Sequence, residues 1–190
     1  MDSKVSKVIT RSTWTVIIVF VVRYLLGFIN ALEFLKCETW YDYFGAAGEA
    51  VSIATIFLIV YDKWLWKFNP LDSTPRLMGN YTGTIKYNYN GQNQRKSTRV
   101  VITQTSLKVK VKITTNEITS STITSNLIEE NDEYVLYYTY ITNPHSRYSD
   151  GNPMQHGTCR LVQISQDKLE GKYWTSRKTI GDINLTRTSG

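Results

Sequence analysis

The chain has 190 residues, 20% of them charged, and a formal net charge of +6. That length holds one ordinary domain, or a small domain with an anchor, and two cysteines are too few for a disulfide framework. Cys37 and Cys159 read as free thiols of a reducing compartment. Up to Pro75, seven Lys and Arg face seven Asp and Glu; from Arg76 onward fifteen face nine, so the whole surplus lies in the second part. Such a surplus suits an anionic partner: a nucleotide, a nucleic acid or lipid headgroups. A merely solubilising basic surface is the plainer alternative.

Two apolar runs come first. From Trp14 to Leu35 the only full charges are Arg23 and Glu33; from Phe44 to Tyr61 the only one is Glu49. At about 1.5 Å rise per residue each run can cross a hydrocarbon core of roughly 30 Å. The sequence therefore predicts transmembrane helices over about 13–35 and 44–66, in an anchor of residues 1–68. No small-residue cleavage site follows the first run, which reads as a retained helix rather than a signal peptide. Lys4, Lys7 and Arg11 precede the first helix and Lys63, Lys67 and Arg76 follow the second, whereas the connection carries only Lys36. The positive-inside bias puts both ends in the cytoplasm, and Trp14, Tyr61, Trp64 and Trp66 sit where an aromatic belt would form.

Arg23 and Glu49 fall at depths that differ by less than one turn. A charge at depth costs roughly 2.5–3.5 kcal/mol on insertion scales, so an Arg23–Glu49 pair is the expectation. The alternative is an Arg23 that snorkels to the inner surface and a protonated Glu49. Ala46, Ala50 and Ala54 form a stripe of small residues at helical spacing, suited to close helix packing within the hairpin or between protomers.

After a linker at residues 69–78, the apolar period becomes two. Tyr81, Ile85, Tyr87 and Tyr89 alternate with polar residues, and Leu107, Val109, Val111 and Ile113 alternate with Lys108, Lys110 and Lys112. Strands are expected near 79–89, 96–103, 106–114, 117–126, 134–142, 157–165, 168–176 and 180–188. Their regular spacing predicts a small eight-stranded antiparallel β-barrel over residues 79–190, closed because so many β-branched runs would otherwise expose unpaired edges.

In an up-and-down order, the links at 90–95, 114–117, 142–157 and 176–180 share one end, away from the linker. That end gathers Arg95, Lys96, Arg147, Arg177 and Lys178, with His145 and Tyr148; Glu129, Glu130, Asp132, Glu133 and Asp167 collect at the other. Tyr87, Tyr89, Tyr138, Tyr140, Tyr173 and Trp174 belong to the basic half. Aromatic planes beside guanidinium groups suit a small nucleotide: bases stack at roughly 1–3 kcal/mol each and Arg holds phosphate oxygens. The ligand contacts expected on this geometry are Tyr87, Arg99, Tyr138, Tyr140, Arg147, Arg160, Trp174 and Arg177. Ordinary tyrosines of a strand wall are the competing reading.

Catalytic signatures are missing. His145 and His156 have no partner at metal-ligand spacing, so no metal or other cofactor is expected. No G-x-S-x-G elbow and no Gly-rich phosphate loop before a helix occurs. Binding, not catalysis, is the expected task. An adaptor for a protein partner, or a tethered lipid carrier, remains the alternative.

The order of parts, two amino-terminal transmembrane helices, a Pro-bearing linker and a basic strand-rich domain of about 110 residues, resembles a known family. These are the two-transmembrane β-barrel effectors of bacterial CBASS antiphage systems, of the CD-NTase-associated protein 15 type. The run LEGKYWTSRKTIGDINLTR, Leu169 to Arg187, is similar to that family's closing barrel strands. The resemblance implies an antiphage effector whose barrel binds a cyclic dinucleotide made by a cognate synthase. It further implies a ligand-induced homo-oligomer in the bacterial inner membrane that disrupts the lipid bilayer. Duplex nucleic acid is not among the implied partners.

Overall fold

The computed structural model describes residues 3–28, 39–70, 74–89 and 91–188. The chain divides into two compact units, Met1–Asp72 and Ser73–Gly190.

The first unit contains helices α1, Ser3–Phe28, and α2, Trp40–Lys63. Within them Ile9–Phe28 and Trp40–Lys63 are long and apolar enough to cross a membrane. Helix α1 starts ten residues before the expected position; residues 29–35 of the expected span lie outside the described residues. Helix α2 starts at Trp40 because the Asp42 carboxylate reaches back to accept a hydrogen bond from the Thr39 amide at 2.7 Å, with its charge at the positive end of the helix dipole. It gives way to a 3-10 turn, Leu65–Phe68, in which Trp66 is buried rather than exposed as a belt residue would be. Trp14 and Trp64 are exposed.

Ala46, Ala50 and Ala54 are buried, one above another at i, i+4 spacing. Beside this stripe Arg23 Nε lies 2.5 Å from Glu49 Oε2. Thr13, Thr15, Ser52 and Thr55 each donate a hydroxyl to the carbonyl four residues back, at 2.7–2.9 Å. Polar groups in hydrocarbon are satisfied in this way. Ile17, Ile18, Val21, Val22, Val51, Ile53, Ile56 and Ile59 remain uncovered.

The second unit is a closed barrel in sequence order: β1 Gly79–Tyr89, β2 Gln92–Gln104, β3 Val109–Thr114, β4 Ile118–Glu130, β5 Glu133–Pro144, β6 Gln155–Ser165, β7 Lys168–Thr175 and β8 Ile180–Arg187. Every neighbouring pair is antiparallel, and β1 closes on β8 from Tyr81↔Arg187 to Tyr87↔Gly181. Alternation sends Val100, Ile102, Val109, Val111, Leu136, Leu161, Leu169, Ile183 and Leu185 inward to one core. One residue departs from the expected pattern. Leu107 is exposed in the β2–β3 turn, whose Thr105 hydroxyl accepts hydrogen bonds from the Leu107 and Lys108 amides, so β3 begins only at Val109. The register shift between Thr122 and Thr124 leaves Ile123 outside and restores inward parity at Leu127.

The two ends of the barrel differ. At one, buried Leu77 is pinned by its amide, which donates to Gln104 Oε1 at 2.7 Å. Gln104 Nε2 donates to the Pro75 carbonyl at 2.8 Å. Tyr81 Oη donates to the Leu77 carbonyl and accepts from Arg187 Nη2, both at 2.8 Å. These contacts plug that end. The other end, built by the β1–β2, β3–β4, β5–β6 and β7–β8 connections, opens into a cavity.

Candidate functional site: a cavity open at one end

The cavity measures about 560 Å³, within the usual range of small-ligand sites. Ile85, Ile113, Ile183 and Cys159 line its inner part; Tyr87, Tyr138, Tyr140 and Tyr173 form its walls; Lys96, Glu117, Arg147, Asn152, Gln155 and Arg177 stand toward the mouth. The strand register explains the wall. Tyr138 pairs with Cys159, Cys159 with Tyr173, and Tyr173 with Gly181, while Gly181 pairs with Tyr87, so these inward positions follow one belt around the barrel. Tyr140 sits one layer nearer the mouth, opposite Gly157.

Two glycines make room for this crowd of rings. A Cβ on Gly157 would overlap the Tyr140 ring and hydroxyl, and one on Gly181 would overlap Tyr173. Their value lies in the absent side chain, since neither has a positive φ. Tyr138 and Tyr140 pack with centroids 5.8 Å apart.

Three of the wall tyrosines are held neutral. Burial pushes the Tyr138, Tyr140 and Tyr173 phenols above their ordinary value and the Cys159 thiol up to about 12. Cys159 is therefore a protonated, inert wall residue rather than a nucleophile. The Tyr138 hydroxyl is sealed from solvent without a hydrogen-bond partner of ordinary geometry. The Cys159 thiol lies beside it and is only a weak partner.

Charge is concentrated near the mouth. Lys96 Nζ donates to Glu117 Oε2 at 2.5 Å and lies 5.4 Å from the Tyr87 ring centroid. Burial alone would lower the Lys96 ammonium; hydrogen bonds to Glu117 and Tyr87 outweigh it and hold the group above its ordinary value. The Arg147 guanidinium stacks 4.8 Å from the Tyr148 ring centroid. Arg177 Nη1 donates to the Gly151 carbonyl at 3.4 Å. The β5–β6 connection spans the mouth, tied to the β3–β4 turn by His145 N–H donating to Glu117 O at 2.8 Å.

Of the ligand contacts expected from sequence, Tyr87, Tyr138, Tyr140, Arg147 and Arg177 line this cavity. Arg99, Arg160 and Trp174 do not; all three stand on the outer wall. Arg99 is exposed between buried Thr98 and Val100. Arg160 sits between inward Cys159 and Leu161, and its guanidinium holds Tyr137 Oη at 2.9 Å and Glu130 Oε2 at 3.0 Å. Trp174 is 40% exposed because Tyr173 takes the inward place. Glu117, Asn152, Gln155, Thr142 and Thr175 also line the cavity and were not foreseen. Gly157 and Gly181, glycines inside strands, were the available signal of close approach.

A closed barrel with neutral aromatic walls and a cationic mouth defines a receptor for a small anionic ligand with apolar or aromatic parts. Residues 72–187 match the family described as Cap15, cyclic dinucleotide receptor domain. A relative from Staphylococcus schleiferi, CD-NTase-associated protein 15, is 34% identical over 191 residues, covering 98% of this chain and 99% of the relative. The chain belongs to the Cap15 family, whose β-barrel is a cyclic dinucleotide receptor domain. Among solved structures, a redesigned β-barrel aligns with 60% of this chain and 92% of its own length, at a TM-score of 0.46 and 14% identity, too loose a likeness to bear on the site.

Proposed function

We propose that the protein is an antiphage effector of the bacterial inner membrane, gated by a cyclic dinucleotide from a cognate synthase. The observation that carries this reading is a 560 Å³ cavity plugged at one end, with Lys96, Arg147 and Arg177 near its opening. A cyclic dinucleotide brings two phosphates for those cations and two bases for the tyrosine walls. The helical hairpin spans the membrane with both termini and the barrel in the cytoplasm, as the basic flanks require. Ligand binding drives copies together, and the Arg23–Glu49 pair and the Ala46, Ala50, Ala54 stripe act in the assembled hairpins that breach the bilayer.

The test is dye release from liposomes of bacterial lipid carrying the full chain, challenged with cyclic dinucleotides and their linear forms. Release with one cyclic species, lost in Arg177→Ala, supports the reading. Binding without release, measured on the same liposomes by calorimetry, would leave a receptor whose output is not leakage. Arg23→Met combined with Glu49→Gln should preserve binding and reduce release; unchanged release removes that pair from the mechanism.

A further inference from the structure

The cavity is chemically polarised along its length. Among the described lining residues its cations, Lys96, Arg147 and Arg177, stand toward the opening. Further in, the lining hydroxyls are those of Ser120, paired with Ile113, and of the tyrosines. Tyr87 is engaged by Lys96, and the Tyr138 hydroxyl is sealed off. Tyr140 and Tyr173 are different. Both line the cavity, and among the described residues neither hydroxyl has a hydrogen-bond partner. Their rings are seated over Gly157 and Gly181, so their positions are fixed by backbone and not by a polar anchor.

A neutral phenol donates one hydrogen bond and accepts others. It matches the edge of an uncharged heterocycle better than a phosphate, which gains more from the mouth cations. A phosphate drawn further in would forgo Arg147 and Arg177 and meet apolar Ile113 and Ile183.

Resting on the reading that the cavity takes a cyclic dinucleotide, we propose that the ligand binds end-on. Its phosphates stay at the mouth with Lys96, Arg147 and Arg177, and one base enters the tyrosine pocket, where the Tyr140 and Tyr173 hydroxyls read its edge. The two bases of one ligand then meet unlike surroundings: the inner is selected by hydrogen bonds, the outer is held near the mouth and selected weakly. One barrel takes one ligand. A site that misses a hydrogen-bonding edge discriminates more sharply than one that misses apolar volume, because its own polar groups are then left unpaired.

The experiment is titration calorimetry of the full chain in nanodiscs against cyclic dinucleotides that differ by one base, with Tyr140→Phe, Tyr173→Phe and Arg177→Ala. The expected result is one ligand per chain and, for each Phe variant, a loss on the order of tenfold for the preferred ligand. The spread of affinities across the panel should narrow in the Phe variants. Arg177→Ala should weaken every cyclic ligand by a similar factor and leave the spread intact. Thermal unfolding of each variant checks that the fold is retained. Phe variants that keep both affinity and spread within about twofold, while Arg177→Ala weakens binding, overturn the base-reading pocket and leave the receptor reading standing. One ligand per two chains overturns the end-on pose. If the wild-type chain binds no cyclic dinucleotide, the receptor reading itself fails and the pocket assignment falls with it.

Discussion

Replacing Tyr138 by Phe removes a single oxygen from the most enclosed part of the cavity wall, and the barrel should become more stable. Tyr138 is 2% exposed, and its hydroxyl is sealed from water without a partner of ordinary geometry. A buried unsatisfied hydroxyl costs about 1–3 kcal/mol in desolvation, of which the neighbouring Cys159 thiol recovers only part. The ring is retained, so its packing on Tyr140 and the core is kept. The void left by one oxygen takes back a few tenths of a kcal/mol. The net expectation is a gain of about 1 kcal/mol, a rise of roughly 4 °C in the melting temperature of the unit Ser73–Gly190. Calorimetric unfolding of the full chain in detergent, following the barrel transition, measures it. A fall of similar size would refute the reasoning, since it would mean that the hydroxyl is satisfied in solution by the thiol or by a water in the cavity.

Gly157→Ala should destabilise the barrel by about 1–3 kcal/mol in denaturant unfolding, because the new Cβ overlaps Tyr140 and approaches the Trp174 carbonyl, which is backbone and cannot step aside. Cys159 should resist a maleimide at pH 7–8 in a Cys37→Ser background and react only on unfolding, since burial holds it as a thiol up to about pH 12; rapid labelling of the folded chain would contradict its burial. The Lys96–Glu117 pair has a pH signature. A lysine raised above its ordinary 10.5 in the fold adds stability that is complete below that value and lost as pH climbs through the folded value. Melting temperature should therefore carry the pair's full, pH-independent contribution between pH 6 and 9 and show a decline above about pH 10.5 that Glu117→Gln removes. Both side chains are about one-third exposed, so solvent screening limits the effect to roughly 1 kcal/mol or less.

The architecture was legible because its signals are long. Two apolar runs each with one central charge, then strands at regular spacing, leave few alternatives. The binding contacts were harder to read because a strand shows which residues share a face but not which face is inside. In Val100–Val101–Ile102 every residue is β-branched, so the sequence gives no reason to place Arg99 outside. Tyr137–Tyr138 and Tyr173–Trp174 are adjacent aromatics of opposite parity, and only the closed register decides between the members of each pair. Strand β2 begins at Gln92 although Gln92–Ser97 shows no apolar alternation; its hairpin partner β1 imposes the pairing. Glu117 and Asn152 come from connections whose path over the mouth is set by tertiary contacts, which no local pattern encodes.

The two ends of the barrel should respond differently to ligand, and this follows from how each is held. At the plugged end Leu77, Gln104, Tyr81 and Arg187 form a chain of hydrogen bonds outside the cavity lining. At the mouth, Arg147 belongs to a connection tied to the β3–β4 turn by one backbone bond, at His145, while Arg177 bridges it to the β7–β8 loop through the Gly151 carbonyl. A phosphate that draws Arg147 and Arg177 together must move or stiffen these exposed segments. A ligand shifts assembly only through its different affinity for the free and assembled states. If assembly follows binding, the surface that distinguishes those states should include residues 145–154 and 176–179. Hydrogen exchange on the full chain should show ligand-induced protection there and little change over 75–81. Protection confined to 75–81 would place the coupling at the plugged end, and the cationic mouth would then serve affinity alone.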